Sequence, residues 1–333
     1  MTAGKYQIVG VESSPYSIKL RAVMRYRHLP FVWLCRMPQY YPPLLDVRPL
    51  LMPVLCFPDG SRRIDSTPII FALEDRHPGQ RTVQPPDPVL AFYSFLIEDM
   101  ADEWLTKILF FYRFSHPADR SFAATWVMDD SFPDIEQVEL NDKAEEFLAR
   151  QTERMESVGA LRENAPVIQA NFQRILNILE PFCALDRFLF GSRPALADFG
   201  LFGQLRTLST DPTPAAIFRA QAPRTENWVR RLDDLSGVNG AWQTSGKANA
   251  AVLGLLKLVG DTYLPFLQAN ADAFATGRKV FTISLPTGSF QQAPFGYQVK
   301  CLAALRQAYK ALEPTGRERA RETLEQTGCL DFF

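Results

Sequence analysis

Three prolines in four positions, Pro85-Pro86-Asp87-Pro88, divide this chain into two halves written in different patterns. Before them, short apolar runs alternate with one-faced helical segments. After them come long stretches in which apolar residues recur every three or four positions. A segment so rich in proline holds neither a helix nor a strand ladder, so it reads as a linker between an α/β unit and an all-helical one.

The first half is read from its punctuation. Tyr6 to Val11 is short, partly β-branched and ends in serines, which predicts a buried strand. Tyr16, Leu20, Val23 and Met24 then share one helical face, and Leu29-Pro30 ends that helix. Phe31 to Leu34 predicts a second strand, and the proline- and tyrosine-rich stretch Met37 to Pro49 a loop or a much-interrupted segment. Two runs, Met52 to Phe57 and Ser61 to Ile64, flank Pro58-Asp59-Gly60 as an antiparallel hairpin. Thr67-Pro68 predicts an N-cap and first-turn proline for a helix reaching about Arg76. The order β-α-β then β-β-α is that of a thioredoxin-like domain.

The turn after the first strand reads Ser13-Ser14-Pro15-Tyr16-Ser17-Ile18-Lys19. A hydroxyl at such a turn lies at the positive end of a helix, where a developing anion is stabilised. Ser14 before Pro15 is equally an ordinary N-cap.

Beyond the linker, Tyr93, Ile97, Met100, Trp104, Ile108 and Phe111 form one helical stripe, and Ile168, Phe172, Ile175, Ile178 and Leu179 another. Glu98, Asp99, Asp102 and Glu103 cluster on the first of these helices. No histidine accompanies them at ligand spacing, so they read as a solvated or interdomain face and no metal is expected. The run Phe110-Phe111-Tyr112-Arg113-Phe114 reads as core or as the lining of an apolar pocket. His28, His77 and His116 have no serine or cysteine partner arranged for a triad, which argues against a hydrolase of that type. After Trp242, helical patterns recur around Leu253 to Leu258 and Tyr263 to Phe274. Alternation at Phe281, Ile283 and Leu285 before Pro286-Thr287-Gly288-Ser289 predicts a hairpin, and further helices run from about Pro294 to Tyr309 and Thr315 to Thr327.

Composition narrows the function. A chain of 333 residues with a formal net charge of -1 has room for two domains and no global pull toward nucleic acid or an acidic membrane surface. Its five cysteines are odd in number and lack a Cys-x-x-Cys pair, which suits reduced thiols in a cytoplasm. No apolar run approaches the roughly 20 residues that span a bilayer, and no basic region followed by an apolar one opens the chain. The expectation is a cytoplasmic protein with a small-molecule or protein partner, no nucleic acid and no membrane.

With these motifs assembled, the chain resembles the cytosolic glutathione transferases. Ser14-Pro15-Tyr16-Ser17 matches the Cys/Ser-Pro-Phe/Tyr-x turn of the serine- and cysteine-type classes, Met52-Pro53 their cis-proline step, and Asp65-Ser66 their acidic-serine pair. Pro194-Ala195-Leu196-Ala197-Asp198 matches the helix-capping motif of their second domain, with Ala195 where that motif has Ser or Thr. Loss of that hydroxyl typically costs about 1 kcal/mol, and Asp198 is expected to favour the helix start through its charge. Gly10 and Val11 stand where the tyrosine-type classes carry their tyrosine.

The resemblance covers about the first 240 residues. It implies a thioredoxin-like domain over 1–82, an all-helical domain over 88–240 and an added C-terminal extension over 241–333, similar to extensions in a bacterial subgroup and packed on the helical domain. It implies glutathione as co-substrate, an apolar electrophile as second substrate, and a homodimer, with detoxification as the setting. Ser14 would donate a hydrogen bond to the glutathione sulfur and favour the thiolate. Met52 before cis Pro53 would pair with the cysteinyl backbone, Ser66 and Asp65 would take the carboxylate and ammonium of the γ-glutamyl group, and Arg48 the glycyl carboxylate. Ser13, Tyr16 and Thr67 complete the implied binding set. A glutathione-dependent lyase or isomerase, or a non-catalytic module of the same fold, is the alternative.

Overall fold

The computed structural model describes residues 4–79, 81–132, 134–185 and 188–333. β1 (Tyr6–Gly10) and β2 (Phe31–Cys35) run parallel, joined by α1 (Pro15–Tyr26). β3 (Val54–Cys56) returns antiparallel to β1, and β4 (Arg62–Ile64) pairs with β3 at the edge. The sheet order is therefore β2-β1-β3-β4, closed on one face by α1 and by α2 (Ser66–Arg76). Ile8, Leu20, Val23, Leu55, Ile69, Ile70 and Leu73 are fully buried between them. The proline-rich stretch after β2 contains two three-residue 3-10 turns, Pro38–Tyr40 and Pro42–Leu44, and both Arg48-Pro49 and Met52-Pro53 are cis.

The start of α2 differs from the sequence expectation. The helix opens at Ser66, not after Thr67, and the preceding Asp65 takes a φ of 74°. Thr67 is thus inside the first turn, and its hydroxyl is free to bond elsewhere.

The helical half opens with α3 (Pro88–Met100), capped by Asp87, whose carboxylate accepts from the amides of Val89 at 2.9 Å and Leu90 at 3.3 Å. The helix continues through a π-helical stretch, Ala101–Leu105, into α4 (Thr106–Ser115). There follow α5 (Pro117–Ser131), α6 (Gln137–Val158), α7 (Ala165–Leu185), α8 (Leu196–Leu208), α9 (Pro212–Gln221) and α10 (Pro223–Arg231). Every stripe residue of the first long helix is buried, as the periodicity predicts.

At the centre lies α8, whose Phe199, Leu201, Phe202, Leu205 and Leu208 have no exposed surface. It approaches α1 so closely that a Cβ on Gly203 would stand 2.5 Å from the Pro15 carbonyl oxygen, so only glycine fits where α8 meets the serine turn. The start of α8 is held by more than charge. The Asp198 carboxylate accepts from the amides of Ala195 at 2.8 Å and Leu189 at 3.0 Å, the acidic half of a capping box whose hydroxyl half is missing.

The tail forms α11 (Ala250–Leu258), a second π-helical stretch Val259–Tyr263, α12 (Leu264–Ala275), a hairpin of β5 (Phe281–Leu285) and β6 (Gly288–Gln292), then α13 (Gly296–Ala311) and α14 (Pro314–Thr327). It shares the core of the helical half: the Trp104 ring lies 5.1 Å from Phe290 and 5.3 Å from Phe266. The two tail helices read separately from the sequence are one continuous helix, Ala250–Ala275, long and apolar enough to cross a membrane by length and composition. Two-thirds of its most apolar window is buried against the rest of the protein, as in a core helix.

Candidate functional site

Topology brings three of the four sequence motifs to one end of the sheet. β1 ends at Gly10, leading into the serine turn. Val9 pairs with Val54, the first residue of β3, and Val54 pairs with Ile64, the last of β4. Hence Ser14, Met52-Pro53 and Asp65-Ser66 all stand just beyond the same edge. Met52 lies outside the final ladder pair, so its amide and carbonyl are not engaged by the sheet.

Ser14 is the N-cap of α1, and its Oγ accepts from the Ser17 amide at 3.3 Å. That bond uses a lone pair and leaves the hydroxyl hydrogen available, so capping and donation to a ligand are compatible roles. Ser13 is buried beside it and its carbonyl accepts from Arg113 Nη1 at 3.0 Å. Arg113 is itself fixed by a two-bond pair with Asp211, at 2.8 and 3.0 Å, in the interior of the helical half. Asp130 on α5 faces the same turn. Burial and the charge of Glu12 push its carboxyl up to about 6, against the pull of the Ser13 and Glu12 amides. Neither Arg113 nor Asp130 was singled out from the sequence for this role, because their partners are main-chain groups of a turn about a hundred positions away.

At the other end of the site, Ser66 is 1% exposed and its hydroxyl has no partner. The amides of Ser66 and Thr67 are the open donors of α2, since Ile69 is the first to bond back, to Asp65, at 3.1 Å. A buried hydroxyl without a partner beside open helix amides is a donor set for a carboxylate.

Three sequence-stated positions take other work. The Tyr16 phenol donates to the Asp102 carbonyl at 3.0 Å and to Thr106 at 3.3 Å, a contact between the two halves. Arg48 is exposed and donates to the Leu45 and Val47 carbonyls of its own loop, at 2.6 and 2.7 Å. Thr67 donates to Glu98 at 2.6 Å and accepts from Lys19 at 3.0 Å.

The carboxylate cluster of α3 and the π-helical stretch is the interdomain face, and all but the half-buried Glu103 is buried. Lys19 from α1 donates to Glu98 at 2.7 Å and also to Asp102. Burial alone would lower Lys19, but Asp102 and Glu98 outweigh it and raise it. Burial raises Asp102 against the pull of Lys19, and Asp99, bonded by the Tyr263 hydroxyl at 2.6 Å, is held well above the carboxylate range by burial. Lys107, drawn down to about 7 by burial against the nearby Glu103, donates to Gln292 of the extension at 2.6 Å. Among the described residues no group of three or more His, Cys, Asp or Glu side chains is placed to hold a metal ion.

Beside the serine turn, Val11, Met37 and Met52 meet Phe114, Val127 and Met128 across the two halves. Phe114 belongs to this cluster, whereas Phe111 and Tyr112 lie in the main core, so the aromatic run is divided between them.

Family comparison agrees with this arrangement. A domain model described as glutathione S-transferase, N-terminal domain, matches residues 8–81, and one described as glutathione S-transferase, C-terminal domain, matches residues 142–231. The chain belongs to the glutathione S-transferase family. Among solved structures it is similar to a glutathione S-transferase of Methylobacterium radiotolerans in complex with glutathione sulfonate, at 19% identity over 74% of this chain and 100% of that one, with a TM-score of 0.40. A glutathione S-transferase of Methylobacillus flagellatus with glutathione bound is 18% identical over 70% and 96%, with a TM-score of 0.42. The beta-etherase LigF of Sphingobium sp. strain SYK-6 is 18% identical over 69% and 95%, with a TM-score of 0.44. No curated protein matches the chain. The extension, residues 241–333, lies beyond both matched segments.

Proposed function

We propose that this glutathione S-transferase family member binds glutathione across the Ser14, Met52 and Ser66 edge and activates its thiol for attack on an apolar electrophile. The observation that carries the reading is the buried, unpartnered Ser66 hydroxyl beside the open amides of Ser66 and Thr67. That set fits the α-carboxylate of a γ-glutamyl group. The free amide and carbonyl of Met52 would pair with the cysteinyl backbone as an added strand does.

The sulfur would then lie at the serine turn. The Ser14 hydroxyl, capping with a lone pair, donates its hydrogen to the sulfur and favours the thiolate; each unit of thiol pKa depression corresponds to about 1.4 kcal/mol. The thiolate forms a carbon–sulfur bond with the electrophile, and the leaving group departs with its electron pair or, in a conjugate addition, the adduct takes a proton from water. A hydroxyl forms no mixed disulfide, so thiol exchange is not the main activity. The Met37, Met52 and Met128 cluster next to the turn offers an adaptable apolar wall for the second substrate.

Calorimetry with millimolar glutathione, followed by turnover of a generic aromatic electrophile, tests the proposal. Binding with turnover supports conjugation, and binding without turnover points to a glutathione-dependent lyase or isomerase. No binding leaves a non-catalytic module.

A further inference from the structure

Tyr297, in the extension, donates its hydroxyl hydrogen to Asp65 Oδ2 at 2.6 Å. Asp65 immediately precedes Ser66, and its other carboxylate oxygen is left open. A segment that follows both matched family domains therefore reaches back to the acid at the end of the glutathione edge.

The first turn of α13 is placed rigidly enough for this contact to be specific. The buried Asn270 side chain accepts from the Phe295 amide at 2.8 Å and donates to the Phe295 carbonyl at 3.0 Å. Gln298, next to Tyr297, donates to Glu103 at 3.2 Å and accepts from Gln292 at 3.1 Å. Gln292 in turn is bonded by Lys107. On the far side, a Cβ on Gly296 would meet the Phe274 ring at 3.2 Å, so the helix start is pressed onto α12. The backbone that carries Tyr297 is thus clamped on both sides, and its ring, 38% exposed, reaches Asp65 from that fixed base.

An exposed aspartate with several rotamers binds an ammonium poorly, because ordering it costs free energy on each binding event. A phenol bonded to one oxygen fixes the carboxylate plane and leaves the other oxygen to accept. We propose that Tyr297 is a positioning residue of the glutathione site: through Asp65 it orders the acceptor for the α-ammonium of the γ-glutamyl group, so that the extension selects γ-glutamyl thiols. This rests on the glutathione reading above and adds to it the part played by the extension.

The test is Tyr297→Phe, which keeps the ring and removes only the hydroxyl, measured by calorimetry with glutathione and with cysteinylglycine, a thiol lacking the γ-glutamyl group. Glutathione affinity should fall about ten- to hundredfold, the size of one hydrogen bond acting on a charged group. KM for glutathione should rise alike while kcat changes by less than twofold, and cysteinylglycine binding should not change. In an Asp65→Ala background the same substitution should do nothing further. Equal glutathione binding by the wild type and the variant overturns the inference alone, as does equal weakening for both thiols. Tighter binding by the variant also overturns it, since the phenol would then be a competitor for Asp65. Absence of glutathione binding in the wild type overturns the glutathione reading and the inference with it.

Discussion

The Lys19 amine and the Glu98 carboxylate lie 2.7 Å apart with no solvent access on either side chain worth counting, 0% and 1% exposed. Lys19 sits one turn into the helix that Ser14 caps, and Glu98 sits on the first helix of the other half. Their bond is the charged centre of the interface between the halves, and Thr67, the neighbour of Ser66, donates to the same carboxylate. The two ends of the candidate site are thus tied to α3 through one buried cluster.

Removing one member of such a cluster strands the others. Lys19→Met should destabilise the protein by roughly 3–5 kcal/mol, because Glu98 and Asp102 are then buried without their cation. Urea denaturation reads this directly. Lys19→Met combined with Glu98→Gln should recover part of the loss, and a double variant no better than the single one would show that the pairing is not what matters.

Ser14→Ala separates capping from chemistry. Loss of the cap should lower stability by about 1 kcal/mol. Loss of the donor should lower kcat/KM by about tenfold or more and raise the pKa of bound glutathione thiol by about one unit, followed as thiolate absorbance against pH. Glutathione affinity at low pH, where the thiol is neutral in either protein, should hardly change. Unchanged turnover would remove Ser14 from the mechanism.

For Ser66→Ala the two readouts move in opposite directions. In the free protein the hydroxyl is buried with no partner, so its removal should leave stability unchanged or higher. Glutathione affinity should fall about tenfold or more, since a hydrogen bond to a charged carboxylate is lost. A variant that loses stability but keeps its affinity would assign Ser66 to the fold instead.

Much of the candidate site's backbone geometry was legible because its parts are local. A serine before a proline, a proline at a strand entry and an acid–serine pair before a helix each describe a turn, and turn chemistry is written in adjacent residues. The hairpin at Phe281–Gln292 and the last two helices of the tail were readable for the same reason. What was not legible depends on distant partners. Thr67 looks like an N-cap beside Pro68, but its hydroxyl is drawn into the interface by Lys19 and Glu98, and the helix begins two residues earlier, at Ser66. Tyr16 matches a family motif, yet bonds the Asp102 carbonyl in the π-helical stretch after α3. The acidic run Glu98 to Glu103 has no feature that distinguishes a solvated face from a buried one; the deciding lysines lie at 19 and at 107. Tyr297 carries no local signal at all.

The capping carboxylate of α8 yields a pH dependence with a definite sign. Asp198 is fully buried, and burial pushes it up to about 7 even though the Ala195 and Leu189 amides favour its charged form. Its folded value therefore lies above that of an unfolded aspartate, about 3.9. Between the two values the folded state binds more protons than the unfolded state, so stability falls as pH rises and levels off once pH exceeds the folded value. From about pH 5 to pH 8 this one group should cost roughly 3 kcal/mol. Asp198→Asn removes the titration while keeping the size of the side chain. An asparagine presents one acceptor oxygen to two amides, so the variant is less stable than the wild type at low pH, and the gap should narrow by about that amount as pH rises. Urea unfolding of both proteins at the two pH values gives the difference, in which other titrating groups cancel. A gap that stays constant would mean that Asp198 is ionised throughout the range and holds the helix start as a charged cap.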